Sequence, residues 1–461
     1  MTTYKIPDAF WIGTSSSAWQ IEGNSDKPHA GWADLFYESD PKRWNKSGSL
    51  QQASDFIHHY HEDIKAMAAI GMNTFRISIQ WARFMQDPLD GIVNQQALDY
   101  YRDVINEIKA NGMQPFVSLE HWDIPAVLFE VGDGWVSRDT IDYYLKYVEA
   151  VFANLSDIVE YFFTFTEPNV PIDNGYMDGI WYPFRKDAKA AYQAHFHKTL
   201  ANALAVKAFK PYRELNHGKL GIMLHYTPVY SRGLITEDDE AADIARQLHV
   251  NLYLDPCLKG IYNTKLLYLL NVNNVMFDYQ PNDLTIIKQY RIDLIGFDYY
   301  FPIRVKKREQ AFEGGFHPQK YYEEYRKEDR EFNADRGWEI YPQAIADLGQ
   351  IMKEEYDNFN WFISENGIGI ANEERYRNQQ GMIVDTYRID FLKRHLQMAL
   401  KAKAKGSNCL GYLVWSFVDN CSAINAFKNR YGLMELDLNH QERHYKASAL
   451  WFKEINQNKG I

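Results

Sequence analysis

Two glutamates that follow short apolar runs are the residues of this sequence best suited to chemistry. Glu167 comes just after the run Tyr161–Phe165, and Glu365 comes just after the run Asn360–Ile363. Two facing carboxyl groups can cleave a glycosidic bond, because one protonates the leaving oxygen while the other attacks the anomeric carbon or activates a water. Each glutamate alone is more often a surface or salt-bridging residue, so the inference depends on the pair.

Further polar residues lie at the ends of neighbouring apolar runs. Arg76 lies in the second run and His121 follows the third. A metal site built from His121 and the two glutamates is an alternative, but no His-x-x-x-His or comparable ligand spacing accompanies them. The sequence therefore predicts neither a metal nor a cofactor.

The elements that must position these residues are short strands alternating with longer amphipathic stretches. Apolar residues recur at helical spacing in His59–Ile70 and Leu98–Ala110, each of which precedes a strand. Such alternation is typical of βαβ units and a parallel sheet. The predicted strands are Ala9–Gly13, Thr74–Ile77, Gln114–Leu119, Tyr161–Phe165, Leu220–Leu224, Leu294–Phe297, Asn360–Ile363 and Gly411–Trp415.

Eight brief strands of this kind predict an α/β fold, a (β/α)₈ TIM barrel. In such a barrel the side chains just past the strand ends converge on one mouth, so Glu167 and Glu365 should face each other there. Neither a Gly/Ser-rich linker nor a change in composition divides the chain, so we expect one domain over residues 1–461. The long loop Arg304 to Arg336 follows the sixth strand, and it is either a solvated lid or part of the site.

Composition and charge narrow the classes of partner. The 461 residues carry a net charge of −11 without a Lys/Arg block, which argues against nucleic acid and anionic membranes. Met1 to Phe10 lacks a secretory pattern, and no apolar stretch approaches the ~20 residues of a membrane span. Three cysteines without pairing or metal spacing suit a reducing cytoplasm. Self-association into a homo-oligomer stays open.

The motifs around these residues resemble glycoside hydrolase family 1, which includes β-glucosidases and 6-phospho-β-glycosidases. The resemblance runs through nearly the whole chain and rests on many matches in order. The matching motifs are Phe10–Thr14, Ala18–Gly23, Phe75–Trp81, His121–Pro125, Thr164–Pro168, Asp298–Tyr300, Ile363–Gly367, Trp415–Ser416 and Asp419–Asn420.

The resemblance implies a retaining hydrolase acting on a small carbohydrate, with Glu167 as acid/base and Glu365 as nucleophile. The family's retaining mechanism fits carboxyl groups about 5 Å apart. The matches further assign sugar binding to Gln20, His121 and Trp415, and support of the nucleophile to Arg76 and Tyr300.

Two residues beside the catalytic motifs depart from the family pattern. Thr166 stands where the family has an Asn that contacts the sugar 2-hydroxyl, and we expect Thr166 to make a shorter version of that contact. Asp298 also replaces an Asn. These changes raise the alternative of a sugar-binding pseudoenzyme, which the presence of both Glu167 and Glu365 disfavours.

A third departure concerns the loop after the eighth strand. Ser422 and Ala423 stand where many family members have Glu-Trp, and the resemblance there favours the 6-phospho-β-glucosidase branch. Ser422 and Tyr431 match phosphate-binding positions, but Asn429 replaces the branch's lysine, so Lys428 is the expected cation. A β-glucosidase or β-galactosidase without phosphate specificity, or a 6-phospho-β-galactosidase, is the alternative.

Overall fold

A closed barrel of eight parallel strands forms the centre of the computed structural model, which describes residues 4–24 and 27–461. Each strand pairs with its neighbours along the chain, and the first pairs with the eighth, so the predicted TIM barrel is confirmed. The strands are β1 (Trp11–Ser15), β2 (Thr74–Ser78), β3 (Gln114–Ser118), β4 (Tyr161–Thr166), β5 (Lys219–His225), β6 (Leu294–Asp298), β7 (Trp361–Glu365) and β8 (Cys409–Trp415).

All eight predicted strands are present, with small shifts at their ends. The first begins at Trp11 rather than Ala9, because the Phe10 amide donates to the Pro7 carbonyl at 3.0 Å and closes a turn there. Part of the Met1–Phe10 stretch predicted to lack a leader, Met1–Thr3, lies outside the described residues.

Helices cover the outside of the barrel. The longer helices are Trp32–Ser39, Phe56–Ala69, Gln95–Ala110, Asp139–Leu155, Ala188–Asn216, Thr236–Arg246, Thr264–Val272, Gln343–Glu355, Thr386–Ala404 and Ala447–Asn458. Shorter helical segments are Ala18–Ile21, Pro41–Arg43, Trp81–Phe84, Val127–Gly132, Gly134–Val136, Val170–Ile172, Asp173–Met177, Gln247–Asn251, Leu252–Leu258, Asp283–Gln289, Pro318–Lys320 and Glu373–Tyr376. In the described part of the chain, no helix combines the length and the apolar character needed to cross a membrane.

The helix Gln95–Ala110 shows how the sequence sets these elements. Asn94 caps it, since its side-chain oxygen accepts from the amides of Gln96 and Ala97. The predicted start at Leu98 was late because the amphipathic pattern begins after the cap. The apolar face, which includes Val104 and Ile108, is buried against the barrel as the spacing predicted.

Side loops carry short strands. Val229–Ser231, Ile303–Lys307 and Tyr322–Glu324 form one small sheet. Three further pairs are Met85–Asp87 with Ile92–Val93, Ile370–Ala371 with Asn429–Arg430, and Met434–Leu436 with Arg443–Tyr445.

Apolar side chains fill the barrel interior toward the N-terminal ends of the strands. The Trp11 ring lies edge-on to Phe116 at 4.8 Å and to Phe362 at 5.6 Å between ring centroids. Phe163, Met223, Leu294 and Leu413 complete this buried cluster. Apolar side chains therefore fill the N-terminal part of the barrel interior, and polar groups gather at the C-terminal mouth.

Candidate active site

A cavity of about 490 Å³ opens at the C-terminal mouth of the barrel. Its wall includes eight of the predicted site residues: Gln20, His121, Glu167, Tyr300, Glu365, Trp415, Ser422 and Tyr431. Residues from distant parts of the chain meet here because the loops after the parallel strands all emerge on this face.

Glu365, the last residue of β7, lies between two hydrogen-bond donors. Arg76 from β2 donates from its guanidinium to one carboxylate oxygen, and the Tyr300 hydroxyl donates to the other at 2.7 Å. Burial raises the pKa of Glu365 to about 7, aided by the charge of Glu167 and opposed by Arg76 and Tyr300. The carboxylate is thus fixed in orientation, and its pKa lies close to neutral pH.

The same arginine sets the proton position on His121. Arg76 Nη1 lies 2.9 Å from His121 Nδ1, and a guanidinium only donates, so Nδ1 must accept. Burial, with the charges of Arg76 and Lys198, holds the pKa of His121 well below its usual value. The neutral ring therefore carries its proton on Nε2, which is available to donate to an oxygen in the cavity.

Glu167 follows β4 in a left-handed backbone conformation, with φ of 49°. Such a conformation is uncommon outside glycine and clusters at functional sites. Its amide donates to the Met223 carbonyl at 3.0 Å, which ties it to β5. Its carboxylate lies 2.7 Å from Nδ1 of His225, the last residue of β5.

Sequence reasoning missed His225, although it follows the predicted run Leu220–Leu224 directly and so obeys the same strand-end rule. Burial opposes its protonation, but the charges of Glu167 and Glu365 and the hydrogen bond to Glu167 outweigh burial and raise the pKa of His225. Glu167 therefore has a proton-bearing partner in direct contact.

Three carboxyl groups lie close together at the base of the cavity. One oxygen from each of Glu167, Asp298 and Glu365 lies within 4.8 Å of the others. Burial, together with the charges of Glu365 and Glu167, raises the pKa of Asp298 well above its usual value. Ser364 donates to one Asp298 oxygen at 2.6 Å. A protonated Asp298 lets the other two carboxyl groups approach without a third charge.

This geometry can be compared with known proteins. The model for glycosyl hydrolase family 1 matches residues 2–461. The chain belongs to glycosyl hydrolase family 1. The family inferred from the motifs is therefore confirmed, and the protein is a glycosidase.

Several relatives cover the full length of this family 1 chain. It is 41% identical to the 6-phospho-beta-glucosidase GmuD of Bacillus subtilis, over 99% of both chains. It is 35% identical to beta-glucosidase A of Acetivibrio thermocellus, over 100% of both. The solved family 1 β-glucosidase from Thermotoga maritima superposes with a TM-score of 0.90 at 29% identity, covering 100% of both chains.

Thr166 lies behind the cavity of this glycosidase rather than in its wall. It is fully buried, and its hydroxyl lies 2.7 Å from that of Ser118 and accepts from Arg76 at 3.5 Å. The expected contact of Thr166 with the sugar is therefore not supported by its position. The shorter side chain leaves the wall and supports Arg76 instead.

Lys428 also lies away from the active-site cavity. It is exposed and lines a separate cavity of about 410 Å³ with Glu373, Asp419 and Arg430. The chain turns at this point, since the Lys428 amide donates to the Asn425 carbonyl at 2.9 Å. The position of Lys428 therefore does not support its expected role as the cation of the sugar site.

The long loop after β6 contributes residues that sequence reasoning did not single out. Arg336 and Trp338 line the active-site cavity, so part of the Arg304 to Arg336 segment belongs to the site rather than to a detached lid. The Arg336 guanidinium stacks on the Trp338 ring, with its carbon 4.2 Å from the ring centroid. Trp338 packs in turn against the cluster of Tyr300, Trp415 and Tyr431.

Proposed function

We propose that this glycosidase hydrolyses 6-phospho-β-glucosides and retains the anomeric configuration. The observation that carries the proposal is the part of the cavity wall where Ser422 and Tyr431 offer hydroxyl groups at positions where many family members have other residues. Neither hydroxyl has a hydrogen-bond partner among the described residues. The 41% identity to a 6-phospho-beta-glucosidase supports the same substrate class.

Glu365 acts as the nucleophile and Glu167 as the acid/base. Carboxyl oxygens within 4.8 Å are closer than the ~6.5–9.5 Å at which inverting enzymes hold their two carboxyl groups, which favours attack by the carboxylate itself over an inverting route. In the first step Glu365 forms a bond to the anomeric carbon while Glu167 passes its proton to the leaving oxygen. In the second step Glu167 removes a proton from the water that hydrolyses the glycosyl ester.

The surrounding residues support these two steps. Arg76 and Tyr300 keep the Glu365 carboxylate oriented by donating to both of its oxygens. His225, in contact with Glu167, keeps a proton beside the acid/base. Once Glu365 becomes an ester its charge is lost, so the Glu167 carboxylate no longer faces that anion and can act as the base for the incoming water.

The remaining wall binds the sugar. Gln20, His121 and Trp415 contact the glycone, and neutral His121 donates from Nε2 to a hydroxyl. The side-chain amide nitrogen of Gln20 donates to the Cys421 backbone carbonyl at 2.7 Å. This orients the side chain so that its Oε1 is the atom left to accept from a sugar hydroxyl. Hydrolysis of β-glucosides without phosphate is the second candidate, favoured by the similarity to beta-glucosidase A.

The enzyme acts as one catalytic domain, and its site of action is the cytoplasm. The family model spans residues 2–461 and the barrel uses strands from both ends of the chain. Cys257, Cys409 and Cys421 are all buried as free thiols, which suits a reducing compartment.

A paired assay tests the substrate. We expect kcat/KM for an aryl β-glucoside 6-phosphate to exceed that for the plain aryl β-glucoside by at least about 100-fold, because charge-assisted hydrogen bonds are worth roughly twice neutral ones. Ser422→Glu should reverse the preference by placing a carboxylate against the phosphate. Glu365→Gln should be inactive on both substrates. If the wild type prefers the plain glucoside, β-glucosidase activity replaces the proposal.

A further inference from the structure

The proposed phosphate site needs a positive charge that the residues expected from the sequence do not supply. A sugar phosphate carries up to two negative charges at neutral pH, and hydroxyl donors alone leave them uncompensated. Asn429, at the family's lysine position, is buried and does not line the cavity. Lys428 faces a different cavity. The positive charge must come from elsewhere on the wall.

Arg336 lies on the wall that carries the two hydroxyl donors. It lines the active-site cavity together with Ser422 and Tyr431. Arg336 stacks on Trp338, and Trp338 packs against Tyr431. In keeping with this placement, burial raises the pKa of Tyr431 while the charge of Arg336 lowers it. The cation and the Tyr431 hydroxyl therefore lie near each other, and Ser422 lines the same cavity.

The guanidinium of Arg336 has no hydrogen-bond or ion-pair partner among the described residues. Among residues 4–24 and 27–461 it forms neither an ion pair nor a hydrogen bond, and its Nε is buried without a partner. Buried donors are almost always paired, and each exception calls for an explanation such as a missing ligand. Its stacking on Trp338 uses the face of the guanidinium and leaves the N–H groups free at its edge.

The turn that carries Arg336 is tightly closed. The Asn333 carbonyl accepts from the amides of Arg336 at 3.3 Å and Gly337 at 2.7 Å. Gly337 has φ of 72°, a left-handed conformation in which glycine carries no steric cost. Arg336 is therefore held on an ordered turn rather than at the end of a loose loop.

The same turn is fixed to the strand pair beside Tyr431. Asn333 Nδ2 donates to the Gly369 carbonyl at 2.8 Å, and Asp335 accepts from the Ala371 amide at 3.0 Å. Ala371 pairs with Asn429, two residues before Tyr431. Hydrogen bonds thus connect the turn of Arg336 to the segment of Tyr431. They hold the Arg336 guanidinium and the Tyr431 hydroxyl in fixed positions relative to each other.

We infer that Arg336 is the residue that binds the 6-phosphate, replacing the lysine that the chain lacks and setting the preference for phosphorylated substrates. The inference rests on the proposed function. The geometry suits it, because a planar guanidinium with free edge donors can bind two phosphate oxygens at once. Ser422 and Tyr431 supply the neutral donors on the same phosphate.

Kinetics with matched substrates test the assignment. We expect Arg336→Ala to lower kcat/KM for the aryl β-glucoside 6-phosphate by about 10- to 100-fold, the range of charge-assisted hydrogen bonds, and to lower kcat/KM for the plain aryl β-glucoside by a much smaller factor. Arg336→Lys should recover part of the loss because it restores the charge. Lys428→Ala, the matched control, should change neither substrate by more than about twofold.

Binding without turnover gives a second measurement. In calorimetry with Glu365→Gln protein, glucose 6-phosphate should bind more tightly than glucose, and adding Arg336→Ala should remove most of that difference. Equal losses for both ligands would show that Arg336 only supports the wall and would overturn the assignment. Unchanged binding of glucose 6-phosphate would do the same.

The two failures are distinguishable. If the wild type prefers the phosphorylated substrate and Arg336→Ala keeps that preference, the assignment of Arg336 is wrong while the proposed function stands. If the wild type itself prefers the plain glucoside, the proposed function fails, and the role of Arg336 fails with it.

Discussion

Asp298 and Glu365 are paired residues on the adjacent barrel strands β6 and β7, at a point where the register shifts by a bulge. The pairing brings two carboxyl groups to one side of the barrel mouth, with Glu167 opposite. Both are buried, and Glu365 is the one held by Arg76 and Tyr300. Charge therefore concentrates on Glu365, while Asp298 retains its proton.

Replacing Asp298 by Asn should stabilise the fold at neutral pH. The unfolded Asp ionises near 3.8 but the folded one keeps its proton to much higher pH, so the free energy of unfolding falls as pH rises between these values. Asn has no ionisable side chain, so the variant does not lose this stability as pH rises. Melting temperatures from pH 4 to 8 should diverge in favour of the variant, and parallel curves would contradict the protonated state of Asp298.

Replacing Tyr300 by Phe should shift the acid limb of the kcat/KM profile to higher pH. Glu365 must be ionised to attack, so wild-type kcat/KM should fall as pH drops below about 7. Removing the Tyr300 hydroxyl withdraws a donor from the ionised carboxylate and should raise that limb by about one pH unit.

A neighbouring tyrosine supplies the control. The Tyr299 hydroxyl donates to the Tyr341 carbonyl at 2.7 Å and does not contact Glu365. Tyr299→Phe should therefore leave the acid limb in place, even if stability falls. Equal shifts in the two variants would exclude a direct effect of Tyr300 on the nucleophile.

Replacing Glu167 by Gln should affect substrates according to their leaving groups. Poor leaving groups need a proton from the acid, whereas activated aryl groups depart without one. We expect a loss of about 10²–10⁴-fold in kcat/KM for an alkyl glycoside and a much smaller loss for a dinitrophenyl glycoside. Equal losses on the two substrates would count against Glu167 as the acid.

Replacing Glu373 by Gln should destabilise the loops around the eighth strand. Glu373 forms buried ion pairs with Arg388 and Lys446, and Lys446 also pairs with Asp419 at 2.9 Å. Removing one partner of a buried pair typically costs about 3–5 kcal/mol. The exposed neighbour Glu374 provides a control, since Glu374→Gln should change the free energy of unfolding by less than about 0.5 kcal/mol.

The same variant should change the response to acid. Burial opposes ionisation of Glu373, but Arg388 and Lys446 outweigh it and lower its pKa to about 2. Its contribution is therefore present above the unfolded value near 4.5 and is lost as pH falls toward 2. Urea titrations at pH 7 and pH 3 should show a smaller pH effect in Glu373→Gln than in the wild type.

The sequence predicted the barrel and most of the cavity wall because both follow from local patterns. Each strand is a short apolar run, and Glu167 and Glu365 follow such runs directly. The positions of Lys428 and Arg336 depend instead on how distant loops pack. A turn at Asn425 directs Lys428 away, and Asn333 fixes the turn of Arg336 to Gly369, in another part of the chain, which spacing alone does not reveal.

The hydrogen bonds between the Arg336 turn and the Gly369–Ala371 segment have a consequence for evolution. In the proposed phosphate subsite, the charged group and the hydroxyl groups come from loops that follow different strands. Because hydrogen bonds join these segments, a substitution in one loop during divergence would also displace the other, so we expect the two loops to change together.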